Sequence, residues 1–592
     1  MPDDAQPPPF THWLKTWRGA RPLDIAAALL WAAAAGVLLY RLPYGVSHRD
    51  EAFYSAMPYS FLLGNRPYFD ELALHQNAGL LLVPFFRVYL AIVGSADGII
   101  MFNRHLYFAY LAICSIVAYR LSRRLSGHVP ACCAAALIIL FAYYNLFALS
   151  YNTCGAFGFF CGIVCTAGAL LKPRPGWQLF GASLWFLSGV FSYPGFAPAL
   201  LVYVAIVLFW LYRQGQRESL VSGLCGLGAG ALAFLAVGVP LLLWLGESGL
   251  QRLLAFSRSM GYAPSFFEKL NFFVHSGIWF WRWDLLGFAA VFVGLPLACR
   301  RGGRLLWLLG PLAAMALGLC YLESLRLPVT TSAAVCLTAL PILAPVCVAL
   351  NRRWRYGRFV LGLVWAPSVL SMLCASYSSA NGYLAASLGS LGASLAGLLS
   401  LHAYLECRSE RSPEERWSLG VVFGAVVCSL CFIQGHSLFA GCYDVATTFA
   451  GHDTRVRSGP LRGVMATRSE AAFDESIDRD LKSVESGAKT LTIFDGFATG
   501  YLSTRLQPRT FTQWIVWAID ASYASAISAQ TFGTPDKLPD LMLAITVVDS
   551  ARPFWEPYFK DRYAPVIQRP EFGYAILRRL PEPRKVRHAR QR

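Results

Sequence analysis

The chain has 592 residues, of which 56% are hydrophobic and only 14% charged, and its formal net charge is +17. A soluble chain of this length would divide into several polar-surfaced domains. Here apolar runs of about 16–22 residues recur instead, which argues for many membrane spans. That charge could suggest a nucleic-acid partner, but its distribution argues against one, because most of it sits in short clusters between the apolar runs.

Residues 1–22 are polar and Pro-rich, and read as a cytoplasmic segment. The run that follows, 23–42, is too long for a signal-peptide core and lacks a small-x-small cleavage site, so it reads as a retained span. Twelve further spans are expected at 105–121, 129–149, 155–171, 177–193, 195–212, 219–245, 284–299, 304–322, 331–350, 359–379, 384–405 and 418–438. The segment 1–22 and the connections "RLSRRLSGH", "KPRPG", "RQGQRE", "RRGGR", "NRRWRYGR" and "ECRSERSPEERW" hold twenty Lys/Arg in 67 residues. The connections of the other side hold about ten in nearly twice that length, so the basic side is cytoplasmic. The whole membrane domain is thus 23–450, and an odd number of spans leaves the carboxyl terminus outside with the first long loop.

Two outer loops are long enough to carry function. The first, 43–104, opens with "SHRDEAFY" and holds two adjacent acidic pairs, Asp50-Glu51 and Asp70-Glu71, among His48, Arg49, Arg66 and His75. Asp50 is placed to cap a helix from Glu51 to about Leu63 that Gly64 ends. Such capping explains Asp50 but neither Glu51 nor the second pair. The apolar part, "AGLLLVPFFRVYLAIVG", is short and interrupted by Pro84 and Arg87, and reads as a helix lying at the interface. The second loop, 246–284, interleaves Trp and Phe with Arg252, Arg258, Lys269 and Arg282. That composition suits the headgroup level, either as an anchor or as a hold on a lipid phosphate.

Sixteen cysteines lie almost entirely in apolar runs, where a small, well-buried thiol packs. Cys161-x3-Cys165 and Cys428-x2-Cys431 have ligand-like spacing but no His partner within their spans. From 451 to 592 the composition becomes that of a soluble α/β domain, expected on the outer side. "ESIDRDLKSVESG" reads as an amphipathic helix closed by Gly487, and "KTLTIFDG" as a buried strand. "PDLMLAITVVDS" reads as a helix end running into a strand, and "WEPYFKDRY" as a helix. "APVIQ" and "YAILRRL" form a terminal hairpin around "RPEFG". No internal repeat is visible.

What can a carboxylate do at the outer face of a membrane? Glycoside hydrolysis generally needs two, one of them to protonate a poor leaving group. Sugar transfer from a lipid phosphate needs only one general base for the acceptor hydroxyl, with a cation or metal against the departing phosphate. "HRDEAFY" directly after the first span resembles the multispanning GT-C glycosyltransferases that use polyprenyl-phosphate sugars, among them protein O-mannosyltransferases and lipid A aminoarabinose transferases. The resemblance implies a GT-C-like polytopic α-helical membrane protein with a C-terminal extracytoplasmic α/β domain, in a bacterial inner membrane. It makes Asp50 the base and Glu51 its catalytic neighbour. "HQNAGLLL" stands where those families carry His/Lys-Pro-Pro, with His75 matching and Gln76 and Asn77 in place of the prolines. Arg104 in "GIIMFNRHLYFAY" matches an arginine that opens their second span. His48, Asp70, Glu71, His75, Gln76 and Asn77 are expected at the substrate, with Arg104, Arg258 and Arg282 at the lipid phosphate and Glu323 and Arg326 near the outer face. A divalent metal accompanies some such transferases, though no spacing here compels one. The expected partners are a polyprenyl-phosphate-linked sugar, a lipid, glycan or protein acceptor, and membrane lipids. A transporter or flippase is the rival reading, and it would place ionisable groups inside the spans and show a repeat.

Overall fold

The structure, a computed structural model, describes residues 22–73, 76–259, 265–280, 283–301, 306–324, 329–379, 381–408, 413–439, 449–494, 496–514, 521–545 and 557–581. The protein is a polytopic α-helical membrane protein with a C-terminal region of strands and helices. Ten described helices are long and apolar enough to cross a bilayer, from Pro22–Arg41 to Trp417–Phe439. Three shorter apolar helices, His128–Ile139, Leu285–Arg300 and Leu308–Leu322, stand among them. Close packing follows from small residues: a Cβ on Gly158 would lie 2.6 Å from the backbone nitrogen of Gly189. That absence of side chain lets Tyr151–Leu170 and Gly176–Ser192 approach closely, as small residues do between membrane helices.

The expected span 129–149 is helical only over His128–Ile139. Twelve residues rise about 18 Å, short of a bilayer core. The remainder, including left-handed Tyr144 and Asn145, is irregular. It is tolerated because protein surrounds it: Asn145 Nδ2 donates to the Ser437 carbonyl at 2.5 Å, and the Leu149 N–H to Asn103 Oδ1 at 3.2 Å. The expected loop 246–284 is largely helical. Arg217–Ser259 runs on past a break at Gly246 (φ 57°), and Phe266–Phe280 follows.

Gln76–Val93 is apolar and long enough to span. Its ends decide otherwise. Just before it, the Leu72 N–H donates to the Phe511 carbonyl at 2.9 Å. Just after it, Arg505 donates to the Gly94 carbonyl at 2.7 Å and Lys482 pairs with Asp97 at 3.1 Å. Both ends are held by the same C-terminal domain, so the helix lies along that side of the membrane without crossing it.

In the C-terminal domain a two-stranded ribbon, β1 (Thr454–Arg455) and β2 (Met465–Ala466), precedes the helix Arg468–Val484. Thr467 and Glu470 form its capping box. A mixed five-stranded sheet follows, built from β3 (Thr490–Phe494), β4 (Gln507–Pro508), β5 (Leu541–Ile545), β6 (Tyr563–Arg569) and β7 (Tyr574–Arg579) in the order β4-β3-β5-β7-β6. β3 is parallel to β4 and β5; β6 and β7 form the expected antiparallel hairpin, turned at Gly573 (φ 69°). A short 3-10 turn, Pro535–Lys537, ends just before "PDLMLAI", which runs into β5, the sheet's central strand with Leu541–Leu543 buried; 546–550 lie outside the described residues. Of "WEPYFKDRY" only 557–559 are helical among the described residues, and a turn then leads into β6.

Candidate active site

The first loop is pinned to this domain along its whole length. Tyr44 bridges to Met465, the Ala498 N–H donates to the His48 carbonyl at 3.0 Å, and the Tyr59 hydroxyl to the Thr504 carbonyl at 2.9 Å. The helix Asp50–Leu62 therefore starts in a protein-lined corner. Ser47, not Asp50, serves its amino end: Ser47 Oγ accepts the Asp50 N–H at 3.1 Å. Asp50 is itself the first helical residue, where the helix dipole favours its charge. Gly64 ends the helix at φ 103°, as expected.

Asp50 and Glu51 are both buried, 6% and 3% exposed, yet differently employed. Glu51 is clamped by Arg104, which donates Nε to Oε1 at 2.5 Å and Nη2 to Oε2 at 2.8 Å. The same guanidinium donates to the carbonyls of Leu42 and Gly45, and so ties the end of the first span to the Ile99–Ser126 helix. Asp50 Oδ1 accepts the indole N–H of Trp514 at 2.6 Å, and that indole stacks on Phe53 with ring centres 5.8 Å apart. Adjacency in a helix explains the split. Successive side chains point about 100° apart, so one carboxylate meets the span and the other meets the C-terminal domain.

The second acidic pair also divides. Asp70 is near the surface in an i,i+4 ion pair with Arg66 at 3.0 Å. Glu71 is fully buried, and accepts the N–H of Ala73 at 3.0 Å and of Gln513 at 2.8 Å. Burial pushes its carboxyl up to about 7, against those donors. Gln76 is spent on the loop's own backbone, accepting the Tyr68 N–H at 2.6 Å and donating to the carbonyls of Glu71 and Ala73. Asn77 donates to the Phe191 carbonyl at 2.8 Å. His48 lies under the domain, Nδ1 3.0 Å from Thr499 Oγ1 and Nε2 3.6 Å from Asp474 Oδ1. Burial lowers His48 to about 4, so the imidazole is neutral at pH 7 and the contact is not an ion pair; burial also raises the Asp474 carboxyl.

The structure thus brings Asp50, Glu51 and Arg104 into direct contact or adjacency, and joins Glu71 to them through Gln513 and Trp514. Arg258 is exposed on its helix. His75, Arg282 and Arg326 lie outside the described residues, as does the side chain of Glu323. Sequence reading missed Ser47, Trp514 and Gln513. "SHRDE" does carry a signal for Ser47, a cap-forming residue three before Asp50. For the other two no local signal exists. Among the described residues no three His, Cys, Asp or Glu converge on a point that could hold a metal ion. Among the described residues beside Asp50, Glu51 has both oxygens on Arg104. The described cysteines are all unbridged.

No protein-family model matches the chain, and no curated protein matches its sequence. Among solved structures it is similar to the Archaeoglobus fulgidus oligosaccharyltransferase, crystallised with zinc and sulfate, at 14% identity and a TM-score of 0.47 over 87% of this chain and 68% of that one. It is also similar to ArnT from Cupriavidus metallidurans, bound to undecaprenyl phosphate, at 16% identity and a TM-score of 0.41 over 97% and 99% of the two chains.

Proposed function

We propose that the protein is a membrane glycosyltransferase that moves a sugar from a polyprenyl-phosphate donor to an acceptor hydroxyl outside the cytoplasm, with inversion. One observation carries the reading. Of two adjacent buried carboxylates, Glu51 is committed to Arg104, while Asp50 meets a side chain of the C-terminal domain. A base needs an oxygen that an incoming hydroxyl can reach. Asp50, whose Oδ1 faces Trp514 of the C-terminal domain, is the carboxylate assigned to that need.

In the reaction Asp50 accepts the proton of the acceptor hydroxyl. The oxygen attacks the anomeric carbon in line, the carbon–oxygen bond to phosphate breaks, and polyprenyl phosphate departs with the electron pair. Basic side chains of the outer face, Arg258 and Arg282 among them, would balance its charge. Glu51 acts through Arg104 by fixing the end of the first span against the helix that bears the base. The side follows from charge: the basic connections lie at the opposite ends of the helices, so the first loop and the C-terminal domain face away from the cytoplasm. The acceptor is a lipid, glycan or protein hydroxyl.

The test is release of polyprenyl phosphate by the purified protein from a panel of polyprenyl-phosphate sugars. Asp50→Asn should abolish release and leave folding intact. Near-normal release by that variant would remove Asp50 from the chemistry.

A further inference from the structure

A second polar site lies away from Asp50, where the first loop, the outer end of the Arg217–Ser259 helix and the C-terminal domain meet. It is a cleft of about 490 Å³. Four cationic side chains line it: Arg66, Arg252, Arg509 and Lys537. Asp70 lines it too, paired with Arg66, and the exposed Asp536 carboxylate lies near Arg509 and Lys537. Cations outnumber these carboxylates by two.

Three of the four cations are partly engaged. Arg509 donates through Nε to the Lys537 carbonyl at 3.1 Å, Lys537 Nζ to the Gln530 carbonyl at 3.0 Å, and Arg66 to Asp70. Arg252 makes no hydrogen bond or ion pair among the described residues, although it is half-buried. A guanidinium carries five donors and cannot shed its charge, so one with no acceptor among the described residues is able to take an anion. Gln507 lines the cleft as a neutral side chain, while the Thr510 and Thr531 hydroxyls are spent on the Thr512 and Ile527 carbonyls.

We propose that this cleft is an anion site for a phosphate-bearing ligand. The phosphate belongs either to the headgroup of an anionic lipid of the outer leaflet or to a soluble or acceptor-borne group. Its surroundings suit both. Leu250 is exposed beside Arg252, and exposed Trp244, just before the Gly246 break, packs edge-on against Phe69 of the cleft wall with ring centres 5.8 Å apart. A phosphate on Arg252 gains charge-assisted hydrogen bonds, and neighbouring Arg509 and Lys537 add attraction in a partly desolvated setting. The site is a binding site in its own right and does not depend on Asp50 being a base.

The probe is inorganic pyrophosphate, titrated calorimetrically into the full chain in phosphatidylcholine nanodiscs. Saturable binding is expected, weakened about tenfold in Arg252→Gln and again in Lys537→Gln, each lost contact being worth about one factor of ten. Among the described residues Arg252 satisfies no protein acceptor, so Arg252→Gln should fold; the unfolding midpoint checks both variants. Asp50→Asn should bind pyrophosphate as wild type does, which separates failure of this site from failure of the transferase reading. Nanodiscs containing phosphatidylglycerol assign the source: displacement of pyrophosphate identifies a lipid headgroup, retained binding a soluble or acceptor phosphate. Absence of saturable binding, or binding that folded Arg252→Gln and Lys537→Gln leave unchanged, overturns the proposal.

Discussion

Glu51→Ala should unfold the corner of the protein that Asp50→Asn leaves standing. Glu51 and Arg104 have side chains 5% and 1% exposed, and two hydrogen bonds of 2.5 and 2.8 Å join them. Removing the carboxylate strands a guanidinium that cannot deprotonate where water does not reach. Breaking a buried pair in this way costs about 3–5 kcal/mol. Arg104→Met should cost as much, because it strands Glu51 and also releases the Leu42 and Gly45 carbonyls. The double variant Glu51→Leu/Arg104→Met removes both charges together, so its loss should fall about 3 kcal/mol short of the two single losses combined. Asp50→Asn, nearly isosteric and still able to accept from Trp514, should stay within about 1 kcal/mol of wild type. The assay is denaturant unfolding in detergent for the four variants, beside polyprenyl-phosphate release. A Glu51→Ala protein as stable as wild type, with no coupling to Arg104, would refute the structural role assigned to Glu51.

Two further outcomes follow from the same corner. Trp514→Phe keeps the stack on Phe53 and deletes the N–H that Asp50 accepts. A hydrogen bond to the charged form favours it, so the base should become harder to ionise and the acidic limb of the rate profile should move to higher pH. An unmoved limb would mean that the contact is absent from the working enzyme. Glu71 binds its proton more tightly folded, at about 7, than unfolded, at about 4.5. Its contribution to stability is therefore fully present below pH 4.5 and is lost as pH rises through 7, by about 3 kcal/mol. Hydrogen exchange at the Gln513 amide, which Glu71 accepts, should accelerate from pH 5 to pH 8 beyond the intrinsic pH effect. Glu71→Gln should flatten that excess. Equal excess in both proteins would show that Glu71 does not titrate there.

Much of this architecture is legible in the chain because membrane helices are local. A run of apolar residues must satisfy its own backbone in lipid, so run length alone locates Pro22–Arg41, Tyr151–Leu170 or Trp417–Phe439. The hairpin β6–β7 is likewise written in "RPEFG", where Gly573 supplies the left-handed turn. The same local rule misread 129–149, since apolar composition does not distinguish a span from irregular backbone buried by neighbouring helices. Pro84 and Arg87, which made the sequence read 76–93 as an interface helix rather than a span, interrupt the apolar run without ending the helix.

The sequence by itself determined that the chain crosses the membrane repeatedly, which ends of its helices are basic, and that an acidic pair opens the first loop. Only tertiary structure decided what each of those two carboxylates does. Glu51's partner Arg104 lies 53 residues away and Asp50's partner Trp514 lies 464 residues away. No periodicity or spacing reaches so far. The Trp514 contact exists only once the C-terminal domain has folded back onto the loop, while the Arg104 contact needs the helices packed together; burial against two different partners gives two adjacent acids different surroundings.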